Sequence, residues 1–86
     1  MTRTEILKTL LDVARDVLEE EQLSFDERTR FEEIESWDSF NHLRMVVSME
    51  AALGIRFDNS DLMRLKVVAD LVSIIERRQA EARTAG

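Results

Sequence analysis

Eighty-six residues suffice for one domain with a thin hydrophobic core, and 44% hydrophobic to 35% charged residues is the balance of a soluble globular chain. The lack of cysteine excludes disulfides, thiolate metal sites and thiol catalysis, a single histidine excludes a multi-histidine metal centre, and no proline with only two glycines disfavours a turn-rich β fold. A net charge of −6, with twelve acids against five bases in residues 1–38 and six against seven in residues 39–86, argues against a nucleic-acid partner.

The opening MTRTEILKTLLDVARD threads charges through its apolar residues and so lacks the apolar core of a signal peptide. No stretch approaches the length of a membrane span, and the expectation is a cytoplasmic protein without a membrane partner. Thr2 with Glu5 three residues later fits a capping box. From there Ile6, Leu7, Leu10, Leu11, Ala14, Val17 and Leu18 recur at helical spacing, which predicts a first amphipathic helix over residues 3–20.

Residues 21–38 show no clean period. Phe25, Phe31, Ile34 and Trp37 are scattered among charges, so this long loop is expected to be pinned across the core, with room for a short helical turn. Trp37 reads as the anchor that fixes the loop to the next helix. The runs Glu19-Glu20-Glu21 and Glu32-Glu33-Glu35 read as solvated surface, with steering of a basic partner as the sharper alternative.

A second helix should begin at Asp38 or Ser39 and end before Gly54, a residue suited to the left-handed terminator position. Phe40, Leu43, Met45, Val46, Val47, Met49 and Leu53 give it a wide apolar arc, against a polar strip of Asn41, Arg44 and Ser48. So wide an arc predicts the central helix around which the others pack. Ile55 and Phe57 read as plugs on an extended linker. Asp58, Asn59 and Ser60 offer caps for a short helix over 60–65, with Leu62, Met63 and Leu65 inward. A last helix is expected from Val67 to Arg78 with Arg77 and Arg78 complementing its dipole, followed by a fraying tail at 81–86.

The chemistry centres on Trp37-Asp38-Ser39-Phe40. The unpaired amides of a helix's first turn favour a negative group such as a phosphate ester, and Asp38 can cap those amides and so aim Ser39. Taken alone, Asp-Ser before a helix is plain capping. Its context resembles the acyl carrier protein family, including peptidyl carrier domains. The matching stretch is FEEIESWDSFNHLRMVVSMEAALGIRF followed by a short helix and VVADLVSII, and the resemblance covers residues 4–78.

That resemblance implies an all-α, four-helix acyl-carrier-type bundle of three longer helices and one short one, with a long first loop and a single carrier domain over residues 1–80. It implies a 4′-phosphopantetheine arm, derived from coenzyme A, on Ser39, with Asp38 as the motif aspartate. Met45, Val46 and Met49 match positions that border the acyl pocket, and Met63 could help to shape such a pocket. Phe40 stands where leucine is usual, and Arg44 where such helices are often negative, leaving Glu50 as the acid of the exposed face. Phe40, Arg44 and Glu50 are therefore the docking candidates.

The implied protein is a stand-alone acyl or aminoacyl carrier of a specialised pathway, a monomer without catalytic or metal-binding residues. Its partners would be a phosphopantetheinyl transferase, a loading enzyme and downstream pathway enzymes, with the thiol supplied by the cofactor. The alternative is an unmodified helical interaction module of the same fold. An enzyme acting alone would need His42 as a base for Ser39, with no third group to orient it; packing on Trp37 is the plainer role for His42.

Overall fold

The computed structural model describes residues 1–85, with four α-helices and one turn of 3-10 helix in the order expected. Helix α1 spans Arg3–Val17. Its capping box forms as the spacing predicts: Glu5 N donates to Thr2 Oγ1 (3.2 Å) and Thr2 N donates to Glu5 Oε1 (2.8 Å). Ile6, Leu10 and Ala14 are fully buried, and Val17 and Leu18 nearly so. The helix stops three residues short of the expected end, where Glu19 takes a left-handed conformation (φ 55°).

Helix α2 spans Ser39–Leu53 and ends, as expected, on Gly54 with φ 65°. The expectation that α2 is the central helix is corrected: α1 is the helix that packs against both α2 and the last helix. Only Met45, Val46 and Met49 of the predicted arc are buried. Phe40, Leu43 and Val47 are 69%, 59% and 56% exposed. The arc is wide because one side of it meets the core and the other meets water.

Ile55 is buried and Phe57 packs on the core, so the linker after α2 plugs the bundle as its alternation suggests. Helix α3 is a single turn, Asn59–Leu62, with Asp58 at its N-cap. Met63, expected inward, is 86% exposed, because α3 ends before it and the chain there follows no helical face. Helix α4 spans Val68–Ala85, seven residues beyond the expected end. Those residues are good helix formers without a breaker, and Arg77 and Arg78 both pair with Glu81 across one turn. The helix thus includes residues 81–85 of the tail expected to fray; Gly86 lies outside the described residues.

Arg77 and Arg78 are thus interior to α4, and their main partner is α3. Arg77 Nη2 donates to Asp61 Oδ1 (2.8 Å), and Arg78 Nη2 donates to Asp58 Oδ2 (2.8 Å) and to Asp61. Asp61 is the buried charged residue of the core region, and the hydrogen bond from Arg78 holds its carboxyl below the usual carboxylate range against the opposing effect of burial.

The long loop is pinned as its aromatics predict, with Phe25, Phe31, Ile34 and Trp37 all buried and a 3-10 turn at Phe31–Glu33. Backbone bonds stitch it to the start of α4: Phe31 N to Lys66 O (3.1 Å), Val68 N to Thr29 O (2.8 Å) and Ala69 N to Glu27 O (2.9 Å), around an isolated antiparallel bridge between Arg30 and Val67. Loop carbonyls thereby satisfy two of the amides that the start of α4 leaves without an intrahelical partner.

Gly54→Ala should lower the unfolding free energy by about 1 kcal/mol. A Cβ there would meet nothing within 4 Å, so the cost would come from the left-handed backbone alone. Gly54→Asn should lose less, since asparagine tolerates that conformation. Urea unfolding midpoints at unchanged slope would measure both.

Candidate functional site

The site is built where the loop becomes α2. Trp37, 7% exposed, lies against Phe31 (ring centroids 4.6 Å apart) and edge-on to Phe25 (6.4 Å), so the loop's last residue before the helix is held by the core. Asp38 follows at the N-cap with an extended backbone, and its Oδ1 accepts from Asn41 N at 2.8 Å. Its carbonyl accepts from His42 N at 2.8 Å, and Asn41 Nδ2 donates back to Ser36 O at 2.8 Å. These three hydrogen bonds, all within residues 36–42, fix where the helix begins.

Ser39 is consequently the first residue of α2, exposed to solvent. Helix geometry leaves the Ser39 and Phe40 amides without a carbonyl to bond inside α2, so the local field favours negative charge near the serine. Beside Ser39 an open hollow of about 570 Å³ is walled by Phe31, Trp37, His42, Leu65 and Lys66, with Arg30 and Glu32 at its edge. An extended polar group attached to the hydroxyl could lie along this hollow, and nothing there requires the serine to move. Lys66 and Leu65 come from the α3–α4 linker, which sequence reasoning did not connect with Ser39. Their only signal was the hydrogen-bonded bridge between loop and linker, and that is not a local pattern.

His42 is neither a free base nor plainly exposed. Trp37 Nε1 donates to His42 Nδ1 at 2.9 Å, and Phe31 meets the imidazole edge-on at 6.0 Å. Burial holds the imidazole below its usual pKa. The bond from tryptophan requires Nδ1 to be unprotonated, so His42 anchors Trp37 in the neutral state. This fits the packing role expected from the spacing, and among the described residues no carboxylate is hydrogen-bonded to the ring.

Met45 and Met49 are fully buried and Val46 is 5% exposed, as the pattern requires of inward positions. They line the bundle interior rather than the hollow beside Ser39. Among the docking candidates, Phe40 is the large aromatic most open to solvent, and the Arg44 guanidinium lies 5.8 Å from its ring centroid. Arg44 Nη1 also reaches Asn41 Oδ1 at 3.3 Å. Glu50 departs from expectation: it is half-buried, and its Oε2 accepts from Phe57 N at 2.9 Å, which ties the end of α2 to the following linker. Helix α2 therefore presents no fully exposed acid. No group of three or more potential metal ligands occurs among the described residues.

Acid should act on this site through His42. The folded-state pKa lies below the unfolded value of about 6.5, so the unfolded chain binds the proton first. The stability contributed by the neutral ring is complete above that value and is lost as pH falls through the folded pKa. Protonation turns Nδ1 from acceptor to donor and ends the Trp37 bond. Between about pH 7 and 5 the melting temperature should fall more steeply in the wild type than in His42→Gln. The Trp37 indole N–H resonance should move over the same range. Equal slopes in the two proteins would show that the bond does not couple to folding.

The sequence pattern of the family described as phosphopantetheine attachment site matches residues 8–75. An acyl carrier protein homolog of Mycoplasma genitalium is 39% identical over 77 residues, covering 84% of this chain and 86% of that protein. A holo acyl carrier protein from Geobacter metallireducens superposes with a TM-score of 0.86 at 27% identity, covering 94% of this chain and 93% of the other. The acyl carrier protein of Thermotoga maritima has the same fold, with a TM-score of 0.83 at 20% identity and 93% of each chain covered. The family works with phosphopantetheinyl transferases and acyl-handling enzymes. No helix among the described residues is long and apolar enough to cross a membrane. The chain belongs to the phosphopantetheine-attachment family: it is a carrier protein rather than an enzyme, and its prosthetic group is a covalently bound 4′-phosphopantetheine.

Proposed function

We propose that Ser39 carries the phosphopantetheine arm and that the protein is a stand-alone carrier of acyl or aminoacyl thioesters for a specialised biosynthetic pathway, working in the cytoplasm as a monomer. The observation that carries this reading is the position of Ser39: an exposed serine at the first residue of a long helix, directly after the capping Asp38 and lining a hollow. The other serines fit less well. Ser24 lies in the loop, Ser36 donates to Glu20 (2.6 Å), Ser48 is half-buried within α2, Ser60 lies in a single turn, and Ser73 accepts from Arg3 (3.1 Å).

In the transfer, the Ser39 hydroxyl oxygen forms a bond to phosphorus, the phosphoanhydride of coenzyme A breaks, and the nucleotide half leaves with that electron pair while the hydroxyl proton passes to the transferase. The arm then supplies the thiol that this cysteine-free chain lacks. Lys66 and His42 line the hollow and would flank the arm where it leaves the serine. Met45, Val46 and Met49 would border an acyl chain only if the core repacks around it, for which methionine is well suited. The specialised role is supported by α2, where Arg44 is exposed and Glu50 is engaged with the backbone, unlike the acidic second helix of fatty-acid-synthase carriers.

Incubation with coenzyme A, magnesium and a broad-specificity phosphopantetheinyl transferase should add one phosphopantetheinyl mass to the wild type and none to Ser39→Ala, read by intact mass spectrometry. Labelling of Ser39→Ala would refute the site. No gain in an unmodified wild-type protein, with a control carrier labelled in the same tube, would favour the unmodified interaction module.

A further inference from the structure

Charge along the segment that starts at Ser39 is divided in an unusual way. Residues 39–66 hold three acids and four strong bases. Each acid has a partner within the chain: Glu50 is held by Phe57 N, the buried Asp61 by Arg77 and Arg78, and Asp58, itself exposed, by Arg78. The four bases Arg44, Arg56, Arg64 and Lys66 are all exposed, and among the described residues none of them pairs with a carboxylate. The face is therefore more positive than its composition indicates, although the whole chain is acidic.

The same segment carries four of the five large exposed apolar side chains among the described residues, Met1 being the fifth. Phe40, Leu43 and Val47 follow one another at spacings of three and four along α2, so they form a stripe on one face. Arg44 borders that stripe over Phe40, and Lys66 lines the same hollow as Ser39, where Glu32 and Asp38 are the acids. Met63, 86% exposed, and Arg64 precede Lys66 by three and two residues. An exposed apolar stripe with Arg44 on it and Lys66 at the adjoining hollow is a docking surface that suits a partner with an acidic border.

We propose that the enzymes loading or unloading this carrier grip it through an apolar recess bordered by Asp and Glu side chains, seated on Phe40, Leu43 and Val47 and steered by Arg44, Arg64 and Lys66. The partner is taken as a thioester-handling enzyme on the strength of the function proposed above; the charge and apolarity of the face stand without it. An anionic bilayer is the less suitable occupant. The deeper apolar side of α2 is spent on the core, and residues 1–38 carry a large excess of acid that such a bilayer would repel.

The test uses two synthetic amphipathic helical peptides with the same leucine face, one flanked by glutamates and one by lysines. Each is titrated by NMR into the full chain, both as Ser39→Ala and as the phosphopantetheinylated wild type. The glutamate peptide should bind about tenfold more tightly, as expected of a few exposed charge pairs acting together. It should shift amides of residues 40–47 and 63–66, and the preference should shrink at high salt. Arg44→Glu with Lys66→Glu, checked for an unchanged fold, should reverse the preference.

Equal or tighter binding of the lysine peptide would overturn the proposal, as would binding of neither peptide, or shifts confined to the acidic loop. Shifts of the stripe that grow with protein concentration alone would make a second copy the occupant. Partition onto vesicles of anionic phospholipid without any response to the glutamate peptide would make it a membrane. A preference kept in Ser39→Ala while the wild type fails to take up the arm would remove the carrier function and leave this surface intact.

Discussion

Residues 18–38 contain no regular α-helix, yet this segment lies over the core of a domain of 86 residues, and its backbone polar groups have to be satisfied there. Local turns satisfy some of them, and the start of α4 satisfies three more, through the bonds between residues 27–31 and 66–69. The aromatic side chains of the same segment fill the space under it. Trp37 is the last of them, and its burial on Phe31 and Phe25 determines where the chain can turn into α2. Asp38 then caps a helix whose first residue has been placed by the loop. The exposure of Ser39 is in this sense a consequence of how the loop is held.

That arrangement also explains the economy of the molecule. A carrier needs a rigid post for its arm and a surface for its enzymes, and the thiol chemistry resides in the cofactor. The post is α2, packed on α1, with Met45 and Met49 in the same core cluster as Ile6, Leu10 and Ala14, and closed by Gly54 and the Glu50–Phe57 contact. His42 serves the post: its neutral ring accepts from Trp37 and so locks the final loop residue to the first turn of the helix. The ion network of Asp61, Arg77 and Arg78 does the equivalent for α3, which is too short to be stable alone.

Much of the fold was legible because it rests on local chemistry. The capping box at Thr2 and Glu5, the terminator at Gly54 and the Asp38 cap each concern residues within a few positions of one another, and each formed as the spacing required. The register of Ile6, Leu10, Ala14 and Val17 is equally local, since a helix repeats every 3.6 residues whatever it packs against. The resemblance on the loop–Asp-Ser–helix series extended the reading to the family and to its prosthetic group, and the match over residues 8–75 agrees.

Local chemistry could not say which half of a wide apolar arc meets water. Phe40, Leu43 and Val47 differ from Met45 and Met49 only in which side of α2 the bundle covers, and α1, remote in sequence, makes that choice. The same holds for Met63, turned outward where α3 stops, and for Arg77 and Arg78, whose partners on α3 and its cap lie 16 to 20 residues away. Glu50 looked like surface charge until the linker returned to it. The sequence by itself determined the helices, their caps and the serine that begins α2, because these depend on backbone hydrogen bonding over one or two turns. Only the tertiary structure decided which side chains remain free to meet a partner, because exposure depends on every element that packs alongside.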